Sequence, residues 1–298
     1  MLKKLWRAFG PNVLDRKLKI ASQAKGNKVL ITWNRGLGDI PLGLYALVYR
    51  IKEFIPAAEM IFLTRKDLEE GFHLLAHVRV IIAPNWKRGE PFDLDTTLTE
   101  LNLKRDHFDL ILENPDPTHW LKWQLGKLTP KLYWNKDWDL LCEKFHLQKG
   151  CVAVHFQTET HYGYEKNWPI THWQQLLHLL IKEKGLQVLL FGFKKEVACT
   201  IEGVIDLRGE TSLFEMLSII KNRCAYLVAP DSGVLSITYY LDVNFPIRVV
   251  SLWADPRQGV LKQNVSSPNK QYYHLPLLGK NEEIATITVD QVMQQLLC

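Results

Sequence analysis

Cysteine is scarce in this chain and its spacing is uninformative. The five residues Cys142, Cys151, Cys199, Cys224 and Cys298 are odd in number and form no C-x-x-C pair. That pattern excludes a disulfide framework and supplies no zinc-ligand set, so buried, reduced thiols in a reducing compartment are the expectation. No stretch reaches the roughly 20 apolar residues that cross a bilayer, and the N-terminal cations precede no uninterrupted apolar core of the secretory kind. A cytoplasmic chain is therefore expected. There is no G-x-x-x-x-G-K-[ST] phosphate loop, and the third glycine of a dinucleotide fingerprint is replaced by Pro41, which removes the main support for a nicotinamide or flavin site. Charge of one sign is also thin. The formal net charge is +5, but residues 1–25 contain seven Lys and Arg against Asp15 alone, so the remainder sums to −1 (5 − 6). A near-neutral body with no base-stacking platform excludes nucleic acid as the partner.

What is present is a repeated alternation of short apolar runs with helical patterns over 298 residues. In the first half, Val29–Trp33 reads as a strand and leads through Asn34-Arg35-Gly36-Leu37-Gly38-Asp39 into a helix from about Ile40 to Phe54. Glu59–Leu63, Val78–Ala83 and Phe108–Glu113 read as strands, Lys66–His77 as a helix, and a Trp-rich helix is expected around His119–Leu125. In the second half, Cys151–His155, Val188–Gly192, Ala225–Ala229 and Ile247–Trp253 read as strands. Ile170–Lys184, Ser212–Lys221, Gly233–Leu241 and Val289–Leu297 read as helices. Such alternation predicts parallel sheets covered on both faces. The expected architecture is α/β: two doubly wound, Rossmann-like domains facing each other across a cleft. The boundaries are a basic segment 1–25, an N-terminal domain 26–147 and a C-terminal domain 148–298. Ligands of such sheets bind beyond the carboxyl ends of the strands, at helix N-termini.

Candidate chemistry gathers at those ends. Gly36 and Gly38 let the backbone approach a ligand closely. Asp39 reads either as the N-cap of the following helix or as a general base, and the two roles conflict because backbone N–H donors weaken a carboxylate base. Lys166, in Tyr164-Glu165-Lys166-Asn167-Trp168-Pro169, reads either as a solvated lysine or as a point charge for phosphates. Gln157 and Thr158 close the strand before it. Glu196 follows another strand and reads as a ligand for ribose hydroxyls or as a first-turn carboxylate favoured by the helix dipole. Asp231, Ser232 and Gly233 make a third such turn, either caps or an anion site.

The N-terminal segment carries Leu2, Leu5, Trp6, Phe9, Val13 and Leu14 at near-helical spacing among its cations, broken at Gly10 and Pro11. Two readings stand: a basic amphipathic piece lying on an anionic membrane, or a helix docking its apolar stripe on the domain.

Together these segments resemble the ADP-heptose lipopolysaccharide heptosyltransferases, an inverting family (glycosyltransferase family 9) with the two-domain GT-B fold. The resemblance runs from Val29 to about Trp253. It is carried by Gly36-Leu37-Gly38-Asp39, by Lys166-Asn167-Trp168-Pro169 with Trp173, by Gly209-Glu210-Thr211-Ser212-Leu213-Phe214-Glu215, and by Asp231-Ser232-Gly233. It implies transfer of heptose from ADP-heptose, a co-substrate and not a cofactor, to a lipopolysaccharide inner-core acceptor, with no metal. In that scheme Lys166 contacts the diphosphate with Gln157 and Thr158 beside it, Glu196 the ribose, and Asp231, Ser232 and Gly233 the phosphate or sugar. Asp39 deprotonates the acceptor beside Gly36 and Gly38. The alternatives are another nucleotide-sugar used on a polysaccharide or protein, and a non-catalytic nucleotide- or glycan-binding relative. The chain departs from the family at Ser236, where a His is common, and at Leu252-Trp253-Ala254-Asp255-Pro256, which replaces a G-x-T-x-P loop.

Overall fold

The computed structural model describes residues 12–116, 120–158, 164–193, 195 and 201–297. The chain divides into two compact units, Met1–Leu128 and Thr129–Cys298.

The first unit begins with α1 (Val13–Gln23), whose Asn12 cap accepts a hydrogen bond from the Leu14 amide at 3.0 Å. There follow β1 (Lys28–Trp33), a π-helical turn (Ile40–Leu44) continuing as α2 (Tyr45–Phe54), and β2 (Glu59–Thr64). The unit is completed by α3 (Glu69–His73), β3 (Val78–Ile82), α4 (Leu94–Glu100) and β4 (Leu110–Glu113). The four strands form a parallel sheet in the order β3-β2-β1-β4. β1 is central and buried from Val29 to Trp33, as an apolar run covered on both faces should be.

Of the two readings of the N-terminal segment, docking is what the described part does. Leu14, Leu18 and Ala21 are buried, and burying each leucine is worth about 2 kcal/mol. Arg50 of α2 donates to both carboxylate oxygens of Asp15 at 2.9 and 2.8 Å. Arg16, Lys17, Lys19 and Lys25 are exposed. Leu2, Leu5, Trp6 and Phe9 lie outside the described residues. Of the expected Trp-rich helix, Trp120 is helical and Lys122–Gln124 form a 3-10 turn, while His119 lies outside the described residues.

The second unit contains β5 (Cys151–His155), α5 (Ile170–His178, extended by a π turn to Glu183), β6 (Val188–Phe191) and β7 (Val204–Asp206). It continues with α6 (Leu213–Arg223), β8 (Cys224–Pro230), α7 (Gly233–Tyr240), β9 (Ile247–Trp253) and α8 (Gly259–Gln263). β10 (Tyr272–Leu278) and α9 (Val289–Leu297) close it. All six strands are parallel, in the order β10-β9-β8-β5-β6-β7. The order reverses between β5 and β8, a switch point of the kind where open α/β sheets bind ligands. One face of this sheet packs Trp168, Trp173, Leu176 and Leu180 with Ile284, Val292 and Leu296 from the tail.

The sheet starts where the sequence places it, but the junction lies earlier than 147/148. Residues 129–147 go with the second unit because their 3-10 segment Lys136–Phe145 packs on α6. Trp138 stacks on Phe214 at 4.0 Å, and Lys221 pairs with Asp139 at 2.8 Å.

Candidate active site

In the first unit, the turn after β1 is held from several sides. Arg65, buried at the end of β2, donates to the Asn34 carbonyl at 2.5 Å and forms an ion pair with Asp67. Asn34 in turn donates to the carbonyls of Lys87 and Glu90. Asp39 sits at the head of the π turn but makes no capping bond to it. Its Oδ2 instead accepts from the Gly36 amide at 3.0 Å, closing the G-L-G-D turn on itself. A β-carbon on Gly36 would stand 3.1 Å from that oxygen and 3.7 Å from Nη2 of Arg88. Gly38 accepts through its carbonyl from the Leu42 amide at 3.2 Å, the first bond of the helix.

In the second unit, the loops after β5 and β8 meet at the switch point. Lys166 Nζ lies 2.9 Å from Asp231 Oδ2, with side-chain exposures of 24% and 6%. The Tyr164 phenol donates to the same oxygen at 2.7 Å, and the Lys166 ammonium stands 5.0 Å over the Tyr164 ring. Burial first, and then the charge of Asp231, push ionisation of the Tyr164 phenol well above its ordinary range, so it remains a donor. Asn167 ties down the strap formed by residues 164–168: it donates to the Thr158 carbonyl at 3.0 Å and accepts from the Thr158 amide at 2.8 Å. Gln157 lines a cavity of about 170 Å³ with Phe156, Asn167, Trp168, Ile170 and Trp173. Trp168 donates to the Ile287 carbonyl at 2.8 Å and meets Trp173 edge-on at 5.0 Å, anchoring the strap to the core.

Ser232 caps α7: its Oγ accepts from the Leu235 amide at 3.2 Å. Gly233 opens that helix, whose first N–H groups have no intrahelical partner and favour an anion. Ser236, where the resembled family has a His, is buried and its hydroxyl donates back to the Ser232 carbonyl at 3.0 Å. The departing loop 252–256 is built around Asp255, whose carboxyl is held down to about 2, chiefly by the Arg257 guanidinium. Behind it, Gly259 has φ +49, and a β-carbon there would stand 2.3 Å from Asp231 Oδ1 and 2.7 Å from the Trp253 ring. Gly209 and the Ser212–Glu215 pair of the third motif are structural: φ is +72 at Gly209, and Ser212 and Glu215 form a reciprocal capping box on α6.

The structure thus brings Lys166, Asp231, Ser232 and Gly233 together with the Thr158 backbone at one strand end. Asp39, Gly36 and Gly38 form a separate turn in the other unit. Glu196 lies outside the described residues. Tyr164 and Gly259 carry contacts that the spacing of the sequence does not signal. His155 ends β5 with its Nδ1 buried and unpartnered among the described residues, and burial lowers its pKa to about 4. An open cavity of about 650 Å³ lies at the opposite, amino ends of β8 and β9, away from the motif residues and with Arg223 and Arg248 in its lining. Among the described residues, no three His, Cys, Asp or Glu side chains gather to hold a metal ion.

Two Rossmann-like parallel sheets, the second with a switch point between β5 and β8, have the architecture of the GT-B fold. The comparisons agree on the fold, and a family model matches just under half of the chain. Residues 125–265 match the family model for glycosyltransferase family 9 (heptosyltransferase). Lipopolysaccharide heptosyltransferase 2 of Salmonella typhimurium is 29% identical over 139 residues, which cover 43% of this chain and 37% of that enzyme. The match therefore spans little over a third of the relative's length. The structure of E. coli ADP-heptose lps heptosyltransferase II superposes with a TM-score of 0.64 at 17% identity, covering 90% of this chain and 97% of that one. The family 9 glycosyltransferase of Veillonella parvula superposes at 0.60 with 14% identity, over 90% and 96% of the two chains. The family match covers the motifs at Lys166, at residues 209–215 and at residues 231–233 and not the one at residues 36–39, and the structural likeness extends the GT-B fold over most of the chain.

Proposed function

We propose that this chain transfers a glycosyl group from a nucleoside-diphosphate sugar, ADP-heptose, to a lipopolysaccharide inner-core saccharide, inverting the anomeric centre. The reading rests above all on the Lys166–Asp231 pair, 2.9 Å apart at the mouth of the α7 N-terminus. In this reading the Lys166 ammonium and the first N–H groups of α7 neutralise the charge of a departing diphosphate. The family 9 match covers these residues, and the similar E. coli structure is described as an ADP-heptose enzyme.

In this scheme the second unit holds the donor: Lys166 with Gln157 and Thr158 at the diphosphate, Glu196 at the ribose, and Asp231, Ser232 and Gly233 at phosphate or sugar. The first unit takes the acceptor beside Gly36 and Gly38, with Asp39 removing the proton of the attacking hydroxyl. Attack from the face opposite the diphosphate inverts the centre. The exposed cations of α1 serve as a contact for an anionic membrane at the cytoplasmic face.

A second reading keeps the fold and changes the donor sugar. It is favoured by Ser236 and by the Asp255–Arg257 loop, both beside the donor turn and both departures from the family pattern. A thermal-shift panel of ADP-heptose, UDP-sugars and GDP-sugars separates the two, because the true donor raises the melting temperature most. Stabilisation by UDP- or GDP-sugars without any by ADP-heptose would remove the favoured donor.

A further inference from the structure

Asp231 is held from two directions, by Tyr164 and Lys166 on one carboxylate oxygen and by Gly259 against the other. Its side chain is 6% exposed, and its Oδ2 receives both the Tyr164 phenol at 2.7 Å and the Lys166 ammonium at 2.9 Å. On the other side, Oδ1 lies against Gly259, where a β-carbon would stand 2.3 Å away. The carboxylate is thus fixed in one orientation by a hydrogen bond on one oxygen and close backbone packing on the other.

We propose that Tyr164 is a positioning residue of the donor site: its phenol fixes the Asp231 carboxylate, and Asp231 in turn aims the Lys166 ammonium at the diphosphate. The inference rests on the donor-site reading above. Lysine carries a point charge on a flexible four-carbon stem, so its direction must come from its partners. Two partners are present: Asp231 takes one N–H of the ammonium, and the Tyr164 ring walls one side at 5.0 Å. The remaining N–H donors are left for phosphate oxygens.

The same bond joins two chain segments. Tyr164 and Lys166 lie on the strap after β5, which Asn167 ties to Thr158, and Asp231 lies on the turn after β8. β5 and β8 are neighbours at the point where strand order reverses. The phenol therefore closes the strap onto the helix N-terminus that would meet the donor. It also keeps a hydrogen bond on Asp231 while the Lys166 ammonium engages a phosphate, so the carboxylate beside the diphosphate is never left unpartnered.

Tyr164→Phe tests this in the full chain, since Phe keeps the buried ring and loses only the O–H. ADP is the probe, titrated calorimetrically against wild type, Tyr164→Phe, Asp231→Asn and the double variant, with amide exchange measured on the ligand-free proteins. We expect Tyr164→Phe to weaken ADP about tenfold, the scale of a hydrogen bond to a charged group. In the Asp231→Asn background the same change should have less than about a twofold effect, because the amide, which still accepts the phenol, no longer carries the charge that aims the Lys166 ammonium. Amides of residues 165–168 should exchange about fivefold faster while β5 is unaffected. An unchanged ADP affinity in Tyr164→Phe, or an equal loss in both backgrounds, overturns the role. If wild type binds none of ADP, UDP or GDP, the donor-site reading fails, and exchange alone decides the latch: faster exchange supports it and unchanged exchange overturns it.

Discussion

Lys166 and Asp231 form an ion pair of 2.9 Å in which the carboxylate is nearly buried and the ammonium reaches partly into solvent. The asymmetry matters, because the buried member requires a partner whereas the exposed one has donors to spare. Lys166→Met should therefore leave the fold intact, since Tyr164 still donates to Asp231, while weakening nucleoside-diphosphate binding at least about tenfold. Calorimetric titration with ADP reads the affinity, and a thermal melt shows that the fold is retained.

Gly259→Ala should be far more damaging than its size suggests. The new methyl would overlap Asp231 Oδ1 and the Trp253 ring, and φ there is +49. Overpacking and the left-handed backbone together should cost about 2–4 kcal/mol, read as a fall in the urea midpoint at constant slope. ADP affinity should fall with it, as Asp231 is displaced.

Asp39→Asn separates base from scaffold. The Asp39 side chain accepts from the Gly36 amide and does not cap the helix, and an Asn oxygen accepts the same bond. Stability should change by less than about 0.5 kcal/mol, whereas loss of a general base lowers turnover by about 10²- to 10⁴-fold. ADP binding should be unaltered. Parallel melts and transfer assays check the split.

One buried and one half-buried histidine, His155 and His274, make the fold sensitive to mild acid. Burial lowers both His155 and His274 to about 4. A group whose folded pKa lies below its unfolded value of about 6.5 contributes full stability above pH 6.5, because both states are then neutral. As pH falls below that, the unfolded state takes up the proton first, and stability drops until about pH 4. The loss should be on the order of 2 kcal/mol per histidine at pH 5. His274 shares a 2.6 Å hydrogen bond with Ser251, and His274→Gln should flatten the decline between pH 7 and 5 in urea titrations.

The basic N-terminal stretch should separate into a buried face that supports the fold and an exposed, cationic face that does not. Removing residues 1–25 deletes the buried Leu14 and Leu18 and the Asp15–Arg50 pair, and should cost several kcal/mol. The double substitution Arg16→Glu and Lys19→Glu changes only exposed positions and should leave the melting temperature within about 2 °C. It should nevertheless reduce sedimentation with anionic vesicles, the reading that makes α1 a membrane contact.

The alternation of strands and helices was legible because parallel strands are apolar runs and their crossover helices are periodic. β1, β5, β8 and β9 fall where that pattern puts them. β10 escaped it: an edge strand with mixed exposure and Pro276 within it does not read as a strand. β7 is only three residues long. The junction escaped for a different reason, since the stacking of Trp138 on Phe214 that commits residues 129–147 to the second unit is a tertiary event. At the site, Lys166 and Asp231 announced themselves through local motifs. Tyr164 did not, because its chemistry appears only when a partner 67 residues away folds onto it. Gly259 was silent for the same reason, as its necessity lies in Asp231 and Trp253 and not in any turn of its own.

The central claim is sugar transfer from a nucleotide donor held by Lys166 and Asp231, and acceptor-dependent release of ADP from ADP-heptose tests it most directly. With a lipopolysaccharide inner-core acceptor, wild type should release ADP at a rate that falls steeply in Asp39→Asn and in Lys166→Met, and should release little without acceptor. Equal release by wild type and both variants, or none from any nucleotide sugar with any acceptor, would contradict the account.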